Sequence, residues 1–150
     1  MLSRAGIAHL IDEYPMTSDG YSPLIDFGEW RVAVLRFCDG VAPGNIRSMQ
    51  RHDETDEVFV LLAGKCILFA FESGAPDGSV ESMRALEMNP MKAYNVRRSV
   101  WHTHVLSPDA AVLIVENRTT SEVNSPQCAL GPDLTAEIER TVKEAWRTGP

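Results

Sequence analysis

Basic charge is what this sequence most clearly lacks: 14 Lys and Arg stand against 21 Asp and Glu, giving a net charge of -7 and a pI near 5.0. Binding to a phosphate backbone draws most of its strength from clustered Lys and Arg, so nucleic acid is excluded as an expected partner. Cysteine is scarce as well. Cys38, Cys66 and Cys128 are odd in number and widely spaced, which suits neither a disulfide framework nor a zinc ribbon and leaves buried thiols in a reducing compartment as the expectation. No stretch approaches the roughly 18 apolar residues of a membrane span, and Met1 to Ile7 holds no sustained apolar core of a signal peptide. The expectation is a cytoplasmic protein with no membrane partner. The signature of disorder is missing too, since 44% of residues are hydrophobic and 23% charged. A folded domain of 150 residues should bury roughly two-thirds of its unfolded surface, enough for one core.

Between residues 24 and 117 helical periodicity is also absent, and short apolar runs alternate with turn residues. The runs are Pro23 to Phe27, Trp30 to Phe37, Glu57 to Leu62, Cys66 to Phe71, Val80 to Leu86, Ala93 to Val96, Val100 to Leu106 and Ala110 to Glu116. Eight strands predict an all-β sandwich or barrel with a jelly-roll count. Gly64 lies between two strong strands and predicts a tight hairpin there; Gly74-Ala75-Pro76-Asp77-Gly78 predicts another turn. Both faces of Val58 to Leu62 and of Ala111 to Val115 are apolar, which predicts strands covered on each side. Leu134, Ile138, Val142, Ala145 and Trp146 recur at helical spacing, so one C-terminal helix is expected, with Asp133 or Thr135 capping its first turn. The chain divides into an N-terminal adapter (1–23) with a possible short helix, a barrel (24–117), and a C-terminal loop and helix (118–150).

One spacing carries chemistry: Gly44, five residues, Gln50, one residue, His52, four residues, Glu57, six residues, Gly64. It resembles the first motif of the cupin superfamily, with Gln50 where the family has its first His. Arg97-Arg98-Ser99-Val100-Trp101-His102 resembles the second motif in its His and spacing, with Arg97 and Ser99 in place of a Pro and a Gly. The resemblance implies a double-stranded β-helix, the cupin jelly-roll barrel, with a small-molecule ligand and a homodimeric assembly.

Strand geometry gives the same residues a physical role. Alternate residues share a face, so Gln50 points with His52, and His102 with His104. Glu57 opens an otherwise apolar strand. A carboxylate and imidazoles on an apolar wall are costly to bury unless something pairs with them, and a divalent metal ion would do so. The expected ligand set is His52, Glu57, His102 and His104, with His104 restoring the imidazole absent at Gln50; iron, manganese, nickel and zinc all suit it. Gln50, Arg36 and Arg51 are candidates for ligand binding, with Arg47, Arg97 and Arg98 near the same mouth. Tyr94 is a candidate through resemblance to the acid of sugar epimerases. The competing reading puts Trp101 and Thr103 inward and both histidines on a half-exposed face, since a one-residue slip reverses every facing.

Fold does not name a reaction, and the superfamily includes dioxygenases, isomerases and lyases. The first expectation is a metal-dependent enzyme acting on a small polar organic acid or sugar derivative. The alternatives are a metal-free ligand-binding or accessory protein and a metal-independent isomerase or epimerase.

Overall fold

The computed structural model describes residues 7–73 and 79–147, so the first residues of the adapter and the turn expected at 74–78 lie outside the described residues. In order come β1 (Gly20–Phe27), β2 (Trp30–Arg36), β3 (Ser48–Gln50), β4 (Glu57–Ala63), β5 (Cys66–Ser73), β6 (Val80–Glu87), β7 (Ala93–Val96), β8 (Trp101–Leu106), β9 (Ala111–Asn117), β10 (Gln127–Ala129) and the helix α1 (Pro132–Arg147). They build two five-stranded antiparallel sheets, ordered β1-β2-β9-β4-β7 and β10-β3-β8-β5-β6. The described residues before β1 contain a helical turn, closed by the Ile11 amide on the Ile7 carbonyl.

All eight expected strands form, and two more join them. β3 and β10 have three residues each and pair with one another, Gln50 opposite Gln127, so the segment after residue 117 contributes a strand to the second sheet. The hairpin expected at Gly64 does not form. β4 pairs with β7 and β9 while β5 pairs with β6 and β8, so Gly64 and Lys65 carry the chain from one sheet to the other. Glycine is required there: Gly64 has φ +68°, and an added Cβ would meet the Ala110 backbone at 2.5 Å.

Period-two alternation divides the apolar residues between two cores. Phe59 and Leu61 of β4, Ile114 of β9 and Leu68 and Leu106 of the facing sheet fill the interior. Ile67, Phe69, Trp101 and Val105 point outward from the second sheet and are sealed by Ile138 and Val142 of α1. β5 and β8 are therefore covered on both faces. On β4, by contrast, Val58 and Val60 are half-buried and Leu62 is 47% exposed, because no helix among the described residues packs on the first sheet; the strand is interior to its sheet, with one face fully covered. Neither expected cap of α1 accepts from a first-turn amide among the described residues: the Thr135 hydroxyl donates to the Gly131 carbonyl, and Asp133 contributes only its charge near the helix start. No described helix is long and apolar enough to cross a membrane.

Candidate metal centre and its cavity

Strand pairing brings the two motif segments together. Gln50 at the end of β3 lies opposite His102 on β8, and just beyond it the His52 carbonyl accepts from the Ser99 amide at 2.8 Å. Ser99 reaches this position with φ +65°, the left-handed conformation that a glycine adopts freely. His52 thus enters from the loop after β3, Glu57 from the first residue of β4 and His102 from β8, all three buried.

Both imidazoles converge on one oxygen: His52 Nε2 and His102 Nε2 each lie 3.0 Å from Glu57 Oε2. The ligand atoms of the three residues lie within 4.8 Å of one another. On the far side of each ring stands an orienting partner, the Ser125 hydroxyl 2.7 Å from His52 Nδ1 and the Val100 carbonyl 2.9 Å from His102 Nδ1. A carbonyl only accepts, so His102 Nδ1 carries a hydrogen. Its Nε2 then presents to a carboxylate either a second proton or a bare lone pair, and the lone pair is tenable only with a cation between them. Spacings near 3 Å match neighbouring ligands around an ion with bonds of about 2.1 Å. The donor set fits a divalent metal.

The electrostatics follow from burial and pairing. Burial opposes the charge of Glu57, but hydrogen bonds from His102 and His52 outweigh it and hold its carboxyl down, to about 2. Burial likewise pulls the His52 imidazole down, and the bond and charge of Glu57 more than reverse this, leaving it raised.

Of these residues His52 and Glu57 open on a cavity of about 450 Å³ between the two sheets, lined also by Leu35, Met49, Gln50, His104 and Ile114. A second polar group stands in its wall, where the Tyr21 hydroxyl on β1 donates to Glu116 Oε1 on β9. Glu116 is 6% exposed, and its carboxyl is pushed up by that burial and by the nearby charge of Glu57, against the pull of the Tyr21 hydrogen bond.

No protein-family model matches the sequence, and no curated protein does. Solved structures do. A variant of Streptomyces PAC13 with uridine matches with a TM-score of 0.54 at 6% identity, over 85% of this chain and 96% of that one. Pac13 is described as a nucleoside dehydratase. A cupin-2 domain containing protein from Shewanella frigidimarina matches over 78% of this chain and 94% of that one (TM-score 0.47, 14% identity), and KdgF from Halomonas over 75% and 91% (TM-score 0.48, 12% identity). The chain has the cupin jelly-roll fold.

Within this cupin barrel the expected site residues separate into two groups. His52, Glu57 and His102 meet, and Gln50 lines the same cavity. His104 faces inward as expected but stands outside the cluster. Its ring lies 5.9 Å from that of Phe59, its Nδ1 is enclosed without a partner, and burial drives the imidazole down to about 4. Arg36 alternates with the inward Leu35, does not line the cavity, and donates to the Met16 carbonyl at 3.2 Å. Arg51 lies on the outer face of the second sheet, paired with Asp53 at 2.9 Å and stacked over the Trp101 ring. Arg97 and Arg98 line an outer surface hollow with Asp56. Only Arg47 lines the cavity, and its Nη1 donates to the Ile46 carbonyl at 2.9 Å.

Tyr94 does not line the cavity either: it packs on the interior core and its hydroxyl accepts from the Asn89 amide at 2.8 Å. The tyrosine of the cavity is Tyr21, which sequence reasoning missed together with Glu116 and Ser125. Glu116 carried a faint signal, being the charged end of an apolar strand whose even positions point inward; Tyr21 and Ser125 sit in stretches with no motif. Cys66 is fully buried and its thiol is pushed up to about 12, an inert core residue.

Proposed function

We propose that this cupin is a metal-dependent enzyme of small-molecule metabolism, in which His52, Glu57 and His102 hold a divalent iron, manganese, nickel or zinc ion and the adjoining cavity takes a small polar organic acid or sugar derivative. The observation that carries this reading is the convergence of two buried imidazole Nε2 atoms on one buried carboxylate oxygen. An ion bound there supplies Lewis acidity, polarising a ligand oxygen or acidifying a water molecule. The chain's own residues do the rest: Ser125 and the Val100 carbonyl fix the two rings, and Gln50 offers an amide to a ligand beside them. Elemental analysis of untagged protein tests the proposal. One equivalent of metal in the wild type, at least tenfold weaker uptake in His52→Ala and unchanged stoichiometry in His104→Ala are expected. Failure of metal-free protein to take up iron, manganese, nickel or zinc on titration overturns it.

A second reading rests on the Tyr21–Glu116 pair, which places a proton donor and a carboxyl in the same cavity without any ion. On that reading the protein is a metal-independent isomerase or a binding cupin. Exchange of a substrate proton with solvent, catalysed by metal-free protein and lost in Tyr21→Phe, distinguishes it from the first.

A further inference from the structure

Asn124 ties the loop between β9 and β10 to the segment that carries His52. Beyond the pairing of Gln50 with Gln127 the two segments run on side by side, with the Arg51 amide donating to the Pro126 carbonyl at 3.2 Å and the Asp53 amide to the Asn124 carbonyl at 3.1 Å. His52 therefore lies opposite Ser125. The Asn124 side chain spans both segments: its Nδ2 donates to the Thr119 carbonyl at 3.1 Å and to Glu54 Oε2 at 3.0 Å, and its Oδ1 accepts from the Ser121 amide at 2.9 Å. A flipped amide would set oxygen against two oxygens and N–H against N–H, so its orientation is fixed. Oδ1 is thereby held as an acceptor for the Ser125 hydroxyl, 3.4 Å away.

That direction matters for His52. Ser125 is buried, and its Oγ, with one hydrogen to give, lies 2.7 Å from His52 Nδ1. Opposite a bound ion that takes the Nε2 lone pair, Nδ1 keeps the ring's hydrogen; Ser125 must accept it and send its own hydrogen elsewhere. Asn124 Oδ1 receives it. Without that acceptor the hydroxyl can turn onto Nδ1 and favour the tautomer with hydrogen on Nε2, the atom an ion needs bare.

We propose that Asn124 is a positioning residue of this centre, turning the Ser125 hydroxyl away from His52 so that Nδ1 donates and Nε2 is left for the ion. The proposal rests on the metal reading above and adds the residue that sets the tautomer of His52.

Metal titration and imidazole nitrogen NMR of the full chain test it. Asn124→Ala should take up metal about tenfold more weakly, whereas Asn124→Asp, which keeps an acceptor beside Ser125, should stay within about threefold of wild type. A merely structural role would weaken both alike, since each loses the bonds to Thr119 and Glu54. In metal-free protein the Nδ1 hydrogen of His52 should be present in wild type and in Asn124→Asp, and should exchange with solvent about tenfold faster in Asn124→Ala. Equal weakening of the two variants, unchanged uptake and exchange in Asn124→Ala, or a wild-type Nδ1 without hydrogen would each overturn the proposal. Should Asn124→Ala not fold, Asn124→Asp and the wild-type spectrum decide. Wild-type protein that takes up no metal overturns the metal reading alone, and the exchange of the Nδ1 hydrogen still decides whether Asn124 acts through Ser125.

Discussion

Ser99 shows how a single residue can obey a family pattern while departing from its letters. It stands where the second cupin motif has glycine, adopts φ +65°, and is held there by its amide on the His52 carbonyl and its hydroxyl on Asp53. A non-glycine residue in the left-handed region costs about 1–2 kcal/mol, of which the greater freedom of an unfolded glycine returns part. Ser99→Gly should therefore stabilise the protein by about 0.5–1 kcal/mol in chemical denaturation, with metal stoichiometry unaltered. A loss of stability would mean that the hydroxyl contact with Asp53 outweighs the backbone strain. His52 and Glu57 were legible from a spacing that resembles the first cupin motif. The choice of His102 over His104 was not, because both share an inward face and only the depth of each along β8 decides which reaches Glu57.

Among the elements, the crossing from β4 to β5 and the seat of α1 matter most. Gly64 read as a hairpin because sequence adjacency favours pairing of neighbouring strands, yet the chain changes sheets there and passes against Ala110. Gly64→Ala combines that clash with an unfavourable φ and should cost about 2–3 kcal/mol, measured as a lowered denaturation midpoint. The three-residue strands β3 and β10 escaped detection because periodicity needs more residues than they have. α1 was legible from its apolar stripe, but not which surface it would cover. It seals the outer face of the second sheet through Ile138, 1% exposed, and Val142, 2% exposed. Ile138→Ala should cost about 3 kcal/mol while leaving metal uptake intact, because the helix packs with the outward Trp101 and Val105 of β8 whereas His102 turns inward to Glu57. Loss of metal binding in a folded Ile138→Ala protein would contradict that separation.

For the molecule as a whole, the buried groups predict how stability varies with pH in the metal-free state. His52 is raised above its ordinary value of 6.5, so the stability from its pairing is complete below 6.5 and is lost as pH rises through its higher folded-state pKa. His104 is lowered to about 4: the unfolded chain binds its proton first, and stability falls as pH drops from 6.5 through 4. Glu57, lowered to about 2, adds to the acid loss as pH falls below its ordinary 4.5. Thermal melts of metal-free protein should thus peak near pH 6.5, whereas metal affinity should go on rising above it as the proton leaves His52. Melts that climb steadily to pH 8 would remove the His52–Glu57 pairing from the account. Taken alone, the sequence determined the eight longer strands, the helix and the motif residues, because side-chain periodicity and spacing are local properties of a chain. Only the tertiary structure decided that Arg36, Arg51 and Tyr94 stand apart from the cavity and that Tyr21, Glu116 and Ser125 enter it. Which sheet a strand joins and which way it faces depend on long-range pairing, and that pairing brings β1, β9 and the loop before β10 to the cavity.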